Sequence, residues 1–260
     1  MFLLIAAVLA MDFLEDVAYY LIYAVVLIAG LGVLLVRSLI RPEQQWYRAR
    51  AAAESIKTMA WRYMMRAHPY EDAGNETAIK AKFLGYLREI VRTNKVLVQS
   101  GFSTEVSAEQ VTTSMQDIRS MPLERRAAFY IQERVKSQQT WYVGKARSNR
   151  HAFKWWVIAS VTAYILAILL ALSRIAFPLW HHLPIEPLIL FASFVIGWVQ
   201  IKKHSELAAS YTLTAAEIGM AKEEAQHVGT ENAFSNYVND TELVFSREHT
   251  QWVARQETAG

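Results

Sequence analysis

Twenty consecutive residues without a charge, VAYYLIYAVVLIAGLGVLLV at 17–36, constrain this chain more than any other feature in it. At 1.5 Å per residue such a run reaches across the hydrocarbon core of a bilayer. A second uncharged run, WWVIASVTAYILAILLAL at 155–172, is eighteen residues long. A third, 188–201, has fourteen, or seventeen counted from Ile185 across Glu186 and Pro187. A buried core helix accounts for a run of fourteen but not for runs of eighteen and twenty. The closeness of the second and third runs makes them a hairpin. The predicted fold class is an all-α membrane protein, with two transmembrane helical hairpins and long cytoplasmic helices forming a helical bundle. Residues 1–11, MFLLIAAVLAM, are apolar but too short for a full span. They read as a partial helix turning back through Asp12, Glu15 and Asp16, so the first hairpin is expected to be the incomplete one. A signal peptide is the poorer reading, because no basic stretch precedes the apolar run.

Hydrophobic residues are 53% of the chain and charged residues 20%, with a mean hydropathy of +0.11. The two classes lie in separate blocks, unlike a disordered or collagen-like chain. With no cysteine there is no disulfide framework, thiolate metal site or thiol nucleophile. A net charge of +3 is too small to point to nucleic acid. The placement of the charges is more informative. Arg37, Arg41, Arg48, Arg50 and Lys57 follow the first run. Arg134, Lys136, Lys145, Arg147, Arg150 and Lys154 precede the second, and Lys202 and Lys203 follow the third. The loop 173–187 holds only Arg174, and 11–16 holds no basic residue. The positive-inside rule then puts 37–154 and 202–260 in the cytoplasm of a multi-pass inner-membrane protein.

No segment alternates with period two, so the cytoplasmic parts are read as helical. Between Glu43 and Arg66 a stripe of Trp46, Ala49, Ala53, Ile56, Ala60 and Tyr63 steps by three and four, as a helical seam does. His68-Pro69 stops that helix. A second is expected over 76–99 with Ile79, Phe83, Leu87, Ile90 and Val91 on one face, and a weaker third over 107–119. Pro122 opens a helix that continues into the second span. After the hairpin, 203–228 and 231–255 make two more. Thr230 is the expected cap of the last, and Phe234, Val238, Thr241, Phe245, His249 and Trp252 form its stripe. One echo recurs: W-Y-x-x-basic-A begins at Trp46 and again at Trp141. It reads either as interfacial anchoring or as a duplicated module.

Three long aromatic-rich stretches carry a family resemblance: QWYRARAAAESIKTMAWRYMMRAHPY at 45–70, MQDIRSMPLERRAAFYIQERVKSQQTWYVGKARSN at 115–149 and ENAFSNYVNDTELVFSREHTQW at 231–252. In these the chain resembles the SLATT family, bacterial two-transmembrane effector domains associated with nucleotide-signalled defence systems. It is similar to the form in which two modules are fused. The expected division is a first module over 1–70, a helical connector over 71–121 and a second module over 122–260. The resemblance implies a pore-forming or membrane-perturbing effector that acts when a partner detects infection. It brings no catalytic residues with it.

Little in the sequence supports chemistry. His181-His182 are adjacent in an extended loop and point apart, and only Glu186 is a nearby carboxylate, so a solvated loop outweighs a metal site. His249 near Glu248 lacks a visible pocket or partner for acid–base work. Phosphate-binding glycine loops and G-x-S-x-G elbows are missing from the sequence. The protein is expected to be no enzyme and to use no cofactor. The spans contain no ionisable residue, which argues against proton-coupled transport. Their polar positions are Ser160 and Tyr164 on one face, and Ser193, Gly197 and Gln200 on another. These faces either pack helices together or line a pore. Asp12, Glu15 and Asp16 are either a solvated turn or an acidic outer mouth. An interfacial basic collar is expected from Arg37, Arg41, Trp46, Arg48, Arg50, Trp141, Lys145 and Lys154, facing anionic lipid or an anionic messenger. The expected partners are the lipid bilayer, further copies of the chain, and either a nucleotide second messenger or a cytoplasmic sensor or cyclase. The second hypothesis is a non-conducting scaffold that recruits a cytoplasmic partner.

Overall fold

A computed structural model describes residues 17–40, 42–72, 74–93, 109–179, 183–225 and 228–257. Within these, side chains are described except at 17–19, 37–38, 40, 42–45, 47–48 and 246–257. Asp12, Glu15, Asp16, Arg41, the histidines at 181 and 182, and the apolar start all lie outside the described residues. So do the side chains of Arg37, Arg48, His249 and Trp252.

The described residues form helices and no strand. In chain order they are α1 (Val17–Ile40), α2 (Pro42–Met64), α3 (Glu76–Thr93), α4 (Thr113–Ser120), α5 (Leu123–Tyr130), a π-helical turn (Ile131–Val135), α6 (Lys136–Ala176), α7 (Ile185–Lys202), α8 (His204–Glu224) and α9 (Glu231–Glu257). Two helical stretches, Leu123–Ala176 and Ile185–Glu224, are long and apolar enough to cross a membrane. A shorter apolar helix, Tyr20–Val36, precedes them. The large side chains on these helices face outward: Leu21, Ile28 and Leu34 on α1, Ile165, Leu169 and Leu172 on α6, and Ile196 on α7 are all exposed. Water tolerates no contiguous apolar surface of that extent, and lipid does.

The chain divides into two compact units. One contains α1, α6 from Gly144 onward, α7 and the start of α8. In it α6 and α7 pack through small residues. Ala163, Ala167, Ala192 and Val195 are buried, and Ser160 Oγ donates to the Ala192 carbonyl at 3.4 Å. Small side chains let helices approach where lipid offers no hydrophobic drive to associate. Lys203 adopts a left-handed conformation (φ 49°), ending α7 through a bond from its N–H to the Val199 carbonyl at 3.0 Å. His204 Nδ1 meets Asn149 Oδ1 at 2.9 Å, joining the first turn of α8 to α6.

The other unit contains α2, α3, α4, α5, the π turn, the first residues of α6, most of α8, and α9. Its core is aromatic. Tyr63, Tyr70 and Phe83 form one cluster, with Tyr63 and Phe83 stacked at 4.8 Å. Trp61, Tyr130, Phe234 and Tyr237 form another, mostly edge to face as ring quadrupoles prefer. The expected stripe on α9 holds as far as it is described: Phe234, Val238, Thr241 and Phe245 are all buried. Thr230 caps α9, its hydroxyl accepting from the Ala233 N–H at 3.2 Å.

The seam expected on α2 is rotated. Of the stripe Tyr63 is buried, but Trp46 and Ala53 are exposed, whereas Ala52, Thr58 and Arg62 outside it are buried. The buried face lies roughly a quarter turn from the apolar stripe. Polar groups on α9 draw Thr58 and Arg62 inward. Helix α3 is described to Thr93 rather than 99, with Ile79 and Phe83 buried and Val91 exposed. The serine and threonine content near 112 marks a start, not an interior: Thr112 caps α4 by accepting from the Met115 N–H at 3.3 Å.

Candidate functional site

Four arginines are buried in this second unit: Arg62, Arg119, Arg126 and Arg134. A guanidinium cannot shed its proton, so burying one requires a partner for its charge or its N–H groups. Arg134 directs both of its hydrogen bonds at one carboxylate. Its Nε and Nη2 donate to the two oxygens of Glu242 at 2.8 and 2.7 Å, a bidentate fork. The Tyr130 hydroxyl donates to the first of those oxygens at 3.1 Å, and the Thr58 hydroxyl to the second at 2.9 Å. Each carboxylate oxygen therefore accepts two bonds, which saturates Glu242. The Arg134 guanidinium also lies over the Phe245 ring at 4.8 Å.

This clamp joins three elements that are distant in sequence: Thr58 on α2, Tyr130 and Arg134 at the α5–π junction, and Glu242 on α9. Burial disfavours a charged Arg134, but the hydrogen bonds and charge of Glu242 outweigh it and hold the guanidinium above its ordinary value. Tyr130 is pushed well above the usual tyrosine range by burial, reinforced by the Glu242 charge. It stays a neutral donor.

The backbone here is unusual. Lys136 N–H bonds to the Ile131 carbonyl, an i to i+5 spacing that inserts one extra residue into the turn. An inserted residue rotates all that follows by about 100°. Such turns recur at functional sites. Here the turn carries Arg134 and leads directly into α6, which holds the apolar run 155–172.

The other buried arginines pin backbone. Arg119 donates to the carbonyls of Tyr63 and Tyr70 at 2.5 and 2.9 Å, and burial lowers its pKa. Arg126 pairs with Glu231 in the first turn of α9 and donates to the Met121 carbonyl at 2.8 Å. Arg62 reaches the Asn239 carbonyl at 3.4 Å. Helix α2 ends on Arg66 in a left-handed conformation (φ 54°), with Ala67 N–H bonded to the Arg62 carbonyl and Arg66 N–H to the Tyr63 carbonyl. That is the Schellman arrangement, usually made with glycine. The Arg66 side chain secures it by donating to the Arg119 carbonyl at 2.8 Å and pairing with Asp72 at 3.2 Å.

The positions singled out from sequence separate into several places. Ser160 is buried against α7, while Tyr164 on the same helix is exposed. Ser193 and Gln200 are exposed and Gly197 is half-buried, all on one side of α7. A side chain added at Gly197 would meet nothing within 4 Å. Lys145 and Lys154 are exposed on α6. Arg50 lies between the rings of Trp46 and Trp141, at 5.4 and 6.0 Å. Trp141 is fourteen residues before Trp155 in the sequence of the same helix. The W-Y echo thus meets itself in one cation–π stack. Arg134, counted by sequence with the basic run before the second span, is buried and paired instead. Sequence reading missed Glu242, Arg119 and Arg126 altogether. The one available signal for Glu242 was a carboxylate one residue past Thr241 on the apolar stripe of α9.

Two family models match the chain, one after the other. Residues 1–127 match SMODS and SLOG-associating 2TM effector domain 3, and residues 130–252 match SMODS and SLOG-associating 2TM effector domain 1. The chain belongs to the SLATT family. Its two SLATT matches together cover nearly its whole length and meet at the α5–π junction, next to Tyr130. No curated protein and no solved structure matches it. A SLATT domain is a two-transmembrane effector domain, which agrees with the apolar helices described above and makes this a membrane protein.

Proposed function

We propose that this SLATT protein is an oligomeric pore-forming or membrane-disrupting effector of a bacterial nucleotide-signalled anti-phage system. It works in the inner membrane, with 37–154 and 202–260 in the cytoplasm, and its cytoplasmic helices gate it. The observation that carries the reading is the clamp: Arg134, held by Glu242, sits on a π turn that continues into the membrane-crossing α6. A trigger that separates α9 from that turn acts on the helix entering the bilayer. The trigger is a nucleotide messenger or a cytoplasmic sensor, and it must bind the open and closed arrangements unequally, because equal binding moves nothing.

The pore belongs to an assembly of several chains. Ser193, Gly197 and Gln200 share one side of α7 that the chain's own packing leaves largely uncovered. Polar groups facing lipid are costly, so this side serves a neighbouring chain or a water-filled path. Recording from planar bilayers tests it. Ser193→Leu and Gln200→Leu lower the unit conductance if this face lines the path. Unchanged unit conductance in both variants returns the face to helix packing.

A second reading has its own observation. Leu213 and Met220 on α8 are about as exposed as the lipid-facing residues, at 63% and 61%. A non-conducting scaffold would use that stripe to recruit a cytoplasmic partner. Persistent silence of the reconstituted protein with nucleotides and partner present favours it.

A further inference from the structure

At the foot of the α6–α7 hairpin the chain gathers cations with few counter-ions. Trp156 and Trp198 face each other across the hairpin at 6.3 Å. His151 lies beside Trp155 at 6.1 Å, and Lys202 Nζ sits over the Trp198 ring at 4.8 Å. Two turns back along α6, the Asn149–His204 contact keeps the two legs together. Around these levels Arg147, Arg150 and Lys154 recur at i, i+3 and i+7, which places them on one face of α6. All three are exposed, and none has an ion pair or side-chain hydrogen bond among the described residues. On the other leg Lys203 pairs only with Glu206, at 3.5 Å. No acidic residue occurs between Glu133 and Glu186.

We propose that Arg147, Arg150, Lys154 and Lys202 form a binding surface for the anionic phospholipid headgroups of the adjacent leaflet. The inference rests on the membrane reading above. The aromatic residues identify the source of the anion, because indole rings prefer the boundary between hydrocarbon and headgroups. Lys154 directly precedes Trp155, and Arg147 lies roughly 12 Å from it along the helix. The headgroup layer is roughly 5–7 Å deep on each side, and the field of an acidic leaflet extends a further Debye length of about 8 Å. All the cations of the cluster fall within that reach. Two guanidiniums present forked donors that match phosphate, and the lysines add point charge. The cluster is an open face on the outside of a helix rather than a cavity, which suits a lipid that arrives laterally.

This surface shares Lys154 with the collar expected from sequence and departs from it in Arg147, Arg150 and Lys202. Of the collar's cations, Arg50 is held between two indoles instead. Each cation near an acidic leaflet contributes about five-fold to lipid association.

The test uses the full chain reconstituted in vesicles of phosphatidylcholine and phosphatidylglycerol at roughly 7:3, with one lipid or the other brominated to quench nearby tryptophan. The expected result is that brominated phosphatidylglycerol quenches several-fold more efficiently per molecule than brominated phosphatidylcholine. That preference falls toward parity in R147Q/R150Q/K154Q and in about 0.5 M salt. An equal preference in the triple variant overturns the inference. So does its loss on adding inorganic phosphate at constant ionic strength, which would make the surface a site for a free anion. Resistance to alkaline carbonate extraction is measured on the same vesicles. A chain that washes off refutes the membrane reading itself, whereas one that stays without lipid preference refutes only the headgroup surface.

Discussion

Arg134 and Glu242, 108 positions apart, meet through two parallel hydrogen bonds, with side chains only 1% and 0% exposed. Removing one partner strands a charge in the core and costs about 3–5 kcal/mol, whereas replacing both with apolar residues of similar volume is near neutral. Thermal unfolding in detergent should show large losses for Arg134→Met and for Glu242→Leu alone. The double variant should recover most of the stability. Equal and additive losses would mean the two side chains do not act as a pair.

Arg119 makes a separate prediction. Its fork bridges the carbonyls of Tyr63 and Tyr70, the two ends of the segment that turns the chain out of α2. A lysine ammonium is a single point and cannot serve both carbonyls from the same position. Arg119→Lys, which keeps the charge, should still cost about 1–3 kcal/mol by leaving a buried carbonyl unpaired. Chemical denaturation of the purified chain reads this directly, and a neutral substitution would show that charge alone matters there.

Alkaline pH should unfold the second unit through its tyrosines. Burial raises Tyr63, Tyr130 and Tyr237, and pushes Tyr70 up to about 12. The folded state therefore holds these protons more tightly than the unfolded chain, whose tyrosines titrate near 10. Their contribution is fully present below about pH 10 and is lost as pH rises through the folded values. Tyrosinate absorbance should lag behind free tyrosine between pH 10 and 12, then rise together with the loss of helical circular dichroism. Titration of all twelve tyrosines near pH 10 with helices intact would contradict the burial.

The Trp46–Arg50–Trp141 stack predicts a modest coupling between α2 and α6. Trp141→Ala should cost about 1 kcal/mol, and Trp141→Phe should keep part of it, since either ring offers the cation a face. In a double-mutant cycle the cost of Trp141→Ala should vanish when Arg50 is already leucine. Full additivity would show that the tryptophan works through packing alone.

The sequence made the apolar helices readable, because a run of eighteen or twenty uncharged residues has few other uses. It also showed the α9 stripe, whose spacing is local, and the Thr230 cap, whose bond spans three residues. The clamp was not readable. Arg134 stands two residues before Lys136 and looks like one more juxtamembrane cation, and nothing local announces that Glu242 will cover it. The π turn has no sequence signature, yet it sets how the following helix is rotated. On α2 the alanines at 49, 51, 52, 53 and 60 make several faces equally apolar. The choice among them fell to Thr58 and Arg62, whose partners lie 184 and 177 positions away.

The central claim is that the Arg134–Glu242 clamp holds a membrane effector closed. Ion efflux from vesicles reconstituted with the full chain tests it most directly, comparing wild type, Thr58→Val and Glu242→Gln at matched helical content. Thr58→Val removes one of the four bonds to the carboxylate, and Glu242→Gln removes its charge. The account predicts that leak rises from wild type to Thr58→Val to Glu242→Gln without any added trigger. Folded variants whose vesicles are all as ion-tight as wild type would contradict it.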